Sequence, residues 1–439
     1  MGAAHPHRTV PTPPGMRRVM TAIMVPLAAV TLIAVVVLWP AGGPRAEADP
    51  VVRHGATVTE VHEQPCPEPD DTPAGQAGVI RQRCGTVTVR VADGPDAGQE
   101  VTTQMPNGPG APTVRVGDDV VVVALFDPAN PDITQYAVAD HQRGSPLLLL
   151  ALLFAAAIVG FGRWRGMAAL TGLAACFTIV LTFVLPAIID GQPPLLVAVV
   201  GAATIMFVVL YLVHGVSVQT SVAALGTLAA LVLTGVLGAA ATSITHLTGF
   251  GSEEAGMVAV FHQSIDLRGL LLAGIIIGSL GVLDDITVTQ AATVAEVARA
   301  NPTLSRRQLY VAGTRVGRAH IASVVNTIVL AYAGASLPLL VLIVAGGQST
   351  GTVRTSEFIA QEIVRSVVAT IGIVAAVPLT TGLAAVVCGA PTAEPPPPPA
   401  PGRRGAHEWN GATDPTRAAA DHGRWSADPP ADQAGFSSW

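Results

Sequence analysis

Asp284 and Asp285 stand side by side at the end of an apolar run, in the segment Gly278-Ser279-Leu280-Gly281-Val282-Leu283-Asp284-Asp285-Ile286-Thr287-Val288-Thr289-Gln290. Two adjacent carboxylates among aliphatic side chains can hold a cation or pass a proton. An ionised carboxylate at a bilayer centre costs about 2.5–3.5 kcal/mol on insertion scales, so each needs a proton, a cation or an arginine partner. Neighbouring positions on a helix point about 100° apart. One carboxylate then faces a bundle while the other faces a neighbour or water. Thr289 and Gln290 extend the polar character, with Thr287 and Thr293 beside them, and Asn326 lies deeper in the next apolar run. These residues form the candidate ion or substrate site: Asp284, Asp285, Thr289, Gln290 and Asn326. Two structural readings stand beside it. The aspartates can cap an interfacial helix over 286–299 by accepting its free N–H groups, or they can pair with arginines in a packing contact.

The elements that must position these residues follow from composition. The 439-residue chain is 50% hydrophobic and 12% charged, about half the charge of a soluble globular protein. Much of its surface therefore meets something other than water. Apolar runs of the length a bilayer needs, about 20 residues, fall at 19–39, 146–162, 166–188, 193–213, 220–242, 267–285, 319–345 and 364–388. The fold expected is an all-α polytopic membrane bundle of about eight transmembrane helices. Pro26, Pro186, Pro338 and Pro378 lie inside these runs, as membrane helices tolerate. Gly274 and Gly278 form a GxxxG step suited to close helix packing. The first run is longer than the ~7–15 apolar residues of a signal peptide, so it reads as an uncleaved anchor.

Residues 45–143 change character. Short runs at 51–61, 85–91, 101–105, 114–124 and 133–138 alternate in polarity, with Gly, Pro, Asp and Asn clusters between them. That pattern signals strands and turns. Five short strands in about 90 residues suggest a small β-rich domain, with an OB-like barrel as one arrangement that fits. Gly117-Asp118-Asp119 reads as a turn rather than a metal pair. Cys66 and Cys84 can form a disulfide if this domain is extracytoplasmic.

Arginine placement orients the chain, since short cytoplasmic loops carry the excess of positive charge. Arg17 and Arg18 put the tail 1–18 inside and the β-rich domain outside. Alternation then puts Arg163, Arg165 and the group Arg299, Arg306, Arg307, Arg315 and Arg318 inside, with both termini cytoplasmic. The membrane domain spans 146–390, and the Pro-rich tail 391–439 reads as disordered. The loop 243–266, with Glu253, Glu254, His262 and Asp266, reads as solvated and external. No nucleophile motif, zinc signature or phosphate loop occurs in a useful context. No enzyme activity, metal or other cofactor is expected, and a net charge of −6 leaves no basic footprint for nucleic acid.

The chain resembles the YibE/F family of bacterial membrane proteins. The likeness rests on Asp140-His141-Gln142-Arg143-Gly144, Gly162-Arg163-Trp164-Arg165-Gly166 and Leu283-Asp284-Asp285-Ile286-Thr287-Val288-Thr289-Gln290. Val325-Asn326-Thr327 and Ala331-Tyr332-Ala333-Gly334-Ala335-Ser336 extend it, and it covers about residues 50–388. The resemblance implies a multi-pass inner-membrane protein with an extracytoplasmic domain, of a kind sometimes described as a permease. This chain has two acidic residues where some members show one. The expectation is a secondary transporter of a small solute or ion in the cell membrane. The alternative is a non-transporting scaffold or envelope sensor whose outer domain binds an envelope protein.

Overall fold

The computed structural model describes residues 14–42, 52–66, 84–107, 110–127, 130–345 and 356–389. The expectation for the Pro-rich tail falls outside these residues, as does that for most of the N-terminal tail. The first helix, α1 (Pro14–Val37), leads into five strands: β1 (Arg53–Gln64), β2 (Cys84–Val91), β3 (Glu100–Gln104), β4 (Asp119–Asp127) and β5 (Asn130–His141). They form one antiparallel sheet in the order β3-β2-β1-β4-β5. The period of two is visible in what is buried. Ala56 and Val58, Val87 and Val89, Val120 and Val122, and Tyr136 and Val138 all point into one core. The Thr103 hydroxyl donates to the Tyr136 carbonyl at 2.5 Å. This bond draws the two edge strands together and curls the sheet toward a partly open five-stranded barrel. Cys66 and Cys84 are joined by a disulfide.

The aspartate pair at 118–119 serves the turn. Asp118 Oδ2 accepts from the Arg115 N–H at 2.8 Å, and Gly117 takes a φ of +92° that a side chain would oppose. On β1 the His54 imidazole sits 2.8 Å from Asp93 Oδ1. With the Gly55 N–H, it holds the Asp93 carboxyl below the usual carboxylate range.

The remaining helices are α2 (Gly144–Gly162), α3 (Trp164–Ile179), α4 (Leu185–Ile189), α5 (Pro194–His214), α6 (Val218–Ile244), α7 (Glu253–Phe261), α8 (Leu267–Ala300), α9 (Arg306–Ala335), α10 (Leu337–Ala345) and α11 (Glu357–Cys388). Among the described residues, eight helical segments are long and apolar enough to cross a membrane, so the bundle matches the expected class. The third segment, Trp164–Ile189, is continuous through a π turn at Val180–Val184. The turn absorbs Pro186, which supplies no N–H to the ladder.

The bounds expected for the seventh span are corrected. The seventh run does not form one span over 319–345. Its helix starts at Arg306, where Ser305 and Gln308 form a capping box, and ends at Ala335 before the separate α10. Within the loop 243–266, Ser252 accepts from the Ala255 N–H and starts α7. Exposed Met257, Val260 and Phe261 give that short helix a greasy side, as an element lying along a membrane surface would have. Asp266, in the same loop, caps α8 by accepting from the Arg268 N–H at 3.1 Å.

The bundle is built around α6, α8 and α11, which pack on one another, with α5 against α8. Lipid tails are as apolar as leucine, so these contacts rest on close approach and interhelical hydrogen bonds rather than on the hydrophobic effect. Gly226 of α6 fits against Thr380 of α11, and Gly372 of α11 fits against Thr234 of α6. A Cβ at either glycine would run into the facing threonine. By contrast α2 has no buried residue, and its main packing partner among the described residues is α3.

Candidate functional site

The site is organised by α8, a single helix of 34 residues. At 1.5 Å per residue it is about 51 Å long, well over the ~30 Å hydrocarbon layer. Asp284 and Asp285 therefore lie inside an unbroken helix, about 26 Å from its start at Leu267. This corrects the capping reading: no helix starts at 286. The backbone groups around Asp284 are already committed to the helix, and the residue that does cap α8 is Asp266.

The five candidate residues do not share one face. Asp284 is half-buried, and its Oδ1 is enclosed without a hydrogen-bond partner among the described residues. Asp285, one position on, is exposed and close enough to His214 at the end of α5 to act on that imidazole electrostatically. Thr289 is exposed one turn further along the Asp285 side.

Gln290 points elsewhere. It is buried, and its Nε2 donates to the Gly313 carbonyl at 2.7 Å and to Thr381 Oγ1 at 2.8 Å. It therefore ties α8 to α9 and α11. The approach requires Gly313 and Gly317, since a Cβ at 317 would come 2.8 Å from Gln290 Oε1 and one at 313 would come 2.7 Å from Val294. Thr287 makes a second tie, its hydroxyl 2.6 Å from that of Thr227 on α6.

Asn326 corrects a further expectation. Among the described residues it makes no hydrogen bond across helices into the bundle; it lies exposed on α9, beside exposed Ser323 and Thr327. The inward positions of that stretch are taken by Ile328 and, further out, Tyr332. The arginine-pairing reading also finds no support. Among the described residues the ion pairs are His54–Asp93, His62–Glu60, Arg90–Glu100, Arg143–Asp140, Arg299–Glu296 and Arg365–Glu362. None includes Asp284 or Asp285.

The exposed side of α8 has its own regularity. Gly274, Gly278, Gly281, Asp285 and Thr289 recur at steps of three and four, and all are exposed. The GxxxG step thus leaves backbone uncovered rather than packed: nothing lies within 4 Å of a Cβ at Gly274 or Gly281, and Tyr332 Oη is 3.7 Å from one at Gly278. Among the described residues helices α5 and α9 each pack on α8, with no substantial packing of one on the other. The stripe therefore forms the floor of a groove between them.

Sequence reading missed two parts of this arrangement. His214 falls at a span end, where only the α5–α8 packing brings it to Asp285. The other is a cavity of about 480 Å³ lined partly by Ala291 and Ala295 of α8. These residues share the Asp284 face, seven and eleven positions on. The spacing of small residues was a signal, but nothing in it identified the helices opposite. Among the described residues no group of three or more His, Cys, Asp or Glu is placed to hold a metal ion.

The family described as YibE/F-like protein matches residues 150–390. No curated protein and no solved structure matches the chain. The match is narrower than the resemblance read over 50–388, because it takes in the membrane helices from α2 onward and leaves out α1 and the whole β-sheet domain. It spans more than half of the chain and every residue of the α8 arrangement, and the chain belongs to the YibE/F-like protein family.

Proposed function

We propose that this chain is a permease of the cell membrane, a secondary transporter in which Asp284 and Asp285 bind a proton or a small cation that couples to solute movement. Both termini are cytoplasmic and the β-sheet domain is extracytoplasmic in this reading. The observation that carries it is the enclosed, unpartnered Oδ1 of Asp284 in the middle of a membrane helix. A carboxylate oxygen there is costly unless a proton or cation satisfies it, and intramembrane carboxylates mark ion pathways more often than packing contacts. Asp285 and His214 supply a second and third ionisable group nearby. The groove between α5 and α9 supplies an open side.

The test uses the full chain reconstituted in vesicles loaded with a pH-sensitive dye, with sodium, potassium or proton gradients imposed in turn. Dissipation of one gradient by the native chain, reduced at least tenfold in Asp284→Asn at equal incorporation, is the expected result. Unchanged flux in both Asp284→Asn and Asp285→Asn rejects the site. A scaffold or sensor that carries nothing is the second reading. It is favoured by one observation: the 480 Å³ cavity is lined by Ala291 and Ala295 but by neither aspartate. Silence of the native chain under all three gradients, with retention of an envelope protein by the β-sheet domain, would favour it.

A further inference from the structure

The cavity beside α8 has a composition of its own. Its walls come from α1, α5, α6, α8 and α11, at the end of α1 that carries Arg17. Arg17 is its single charged lining residue; no carboxylate lines it. Arg17 itself forms no ion pair among the described residues. The hydroxyls of Thr21, Ser217 and Ser221 also line it; that of Thr21 donates to the Arg17 carbonyl, and that of Ser221 lies 3.1 Å from the Tyr211 hydroxyl. Further along α1 the wall becomes apolar through Met20, Met24 and Ala28, with Phe207 facing them from α5. Arg17 to Ala28 is eleven residues, about 16 Å of helix.

A site with one cation and a few hydroxyls at the membrane surface, and a greasy slot running inward, matches one kind of molecule. Its head must be anionic, because the cavity has positive charge and nothing to balance it. Its tail must be a hydrocarbon chain, because water gains no hydrogen bonds along the methionines. Basic pockets between membrane helices on the cytoplasmic side are suited to anionic lipid head groups. Arg17 presents a fork of N–H donors that fits a phosphate bidentately. We propose that this cavity binds one anionic phospholipid, its phosphate on Arg17 and an acyl chain along Met20, Met24 and Ala28. Among the described residues α1 packs mainly on α5 and α6, and the lipid fills the seam between α1 and the remaining helices. It cements the anchor helix to the bundle. Transport by the α8 site is not required for this.

The experiment uses the full chain, purified in a non-ionic detergent and stripped of lipid. Thermal unfolding is followed with added phosphatidylglycerol, phosphatidylcholine or inorganic phosphate. Phosphatidylglycerol is expected to raise Tm by at least about 3 °C, as binding to the folded state alone requires, and native mass spectrometry should find one such lipid retained per chain. Phosphatidylcholine and phosphate should each give less than a third of that shift. Arg17→Gln should abolish the shift, and Arg307→Gln, on another cytoplasmic turn, should keep it. Should Arg17→Gln fail to fold, Ala28→Trp decides, since it fills the slot from an exposed position of α1 and should also abolish the shift. An equal shift with phosphatidylcholine or phosphate overturns the proposal. So does a shift that survives Arg17→Gln or, where that variant does not fold, Ala28→Trp.

Discussion

The β-sheet domain and the membrane bundle treat polar groups in opposite ways. In the sheet the core is aliphatic, with Val58, Val87, Val89, Val120 and Val122 almost wholly buried, and polar pairs sit at the rim. Tyr136 shows the pattern: its ring is buried, while its hydroxyl donates to Asp96 Oδ2 at 2.6 Å. Arg143 beside Asp140, just before α2, likewise holds that carboxyl below its usual range out in solvent. In the bundle the order is inverted. Leucine and valine side chains cover the outside, and the interior contains Thr227, Thr287, Gln290 and Thr381. Water drives apolar groups together in the first case, whereas in the second the surroundings are already apolar and only packing and hydrogen bonds hold helices together. A polar side chain inside the bundle is thus a structural tie when it is satisfied. It becomes a functional candidate when, like Asp284, it is not.

The sharpest break of this comparison is removal of the disulfide. Cys66 and Cys84 are 18 residues apart, and closing a loop of that size stabilises by about 3 kcal/mol in the chain-entropy account. Cys84→Ser should make the β-sheet domain cleave at lower urea in pulse proteolysis of the full chain, with the helices untouched. Next comes Gln290→Leu, which leaves the Gly313 carbonyl and the Thr381 hydroxyl without their donor. A loss of about 2 kcal/mol is expected, read as a lowered unfolding midpoint in detergent. No loss would mean that the interior tie is dispensable and that shape alone holds α8, α9 and α11.

Tyr136→Phe should cost about 1 kcal/mol at neutral pH, and its pH dependence has a defined sign. The Asp96 carboxylate accepting its hydrogen bond, with burial, pushes the Tyr136 phenol up to about 12, against about 10 when unfolded. The protonated phenol is the stabilised form. Its contribution is therefore complete below pH 10 and disappears as pH rises through 12. Native and Tyr136→Phe chains should converge in domain stability across that window. The smallest effect is Thr287→Val, about 0.6 kcal/mol, the mean for interhelical hydrogen bonds in membranes. An effect as large as that of Gln290→Leu would show that single hydroxyl contacts count for more in this bundle than their mean suggests.

Spans and strands were legible because their signals are local. A helix crosses a bilayer when about 20 consecutive residues bury their backbone bonds internally, and that can be counted along the chain. A strand with one buried face must alternate, and Val87, Val89 and Val91 do so. What failed was local in scale but tertiary in origin. Asp284 and Asp285 looked equally able to cap a helix or to sit within one, because both positions accept an aspartate. The decision fell to Ile286, Thr287 and Gln290, which find partners on α6, α9 and α11 only if α8 continues. Asn326 failed for a similar reason. Its depth could be read from the sequence, but its direction depends on the side of α9 that Gly313 and Gly317 press against Gln290 and Val377.

Composition and periodicity alone therefore determined that this chain is a membrane bundle with a small sheet domain, and which residues carry charge inside it. The tertiary structure decided that Gln290 is a tie and Asp284 an unsatisfied carboxylate. It also placed His214 beside Asp285 and a cavity with one arginine under α1. The reason is that hydropathy belongs to a residue and its near neighbours, whereas satisfaction of a polar group belongs to the pair it makes. In this bundle the partners lie 23 and 91 residues from Gln290.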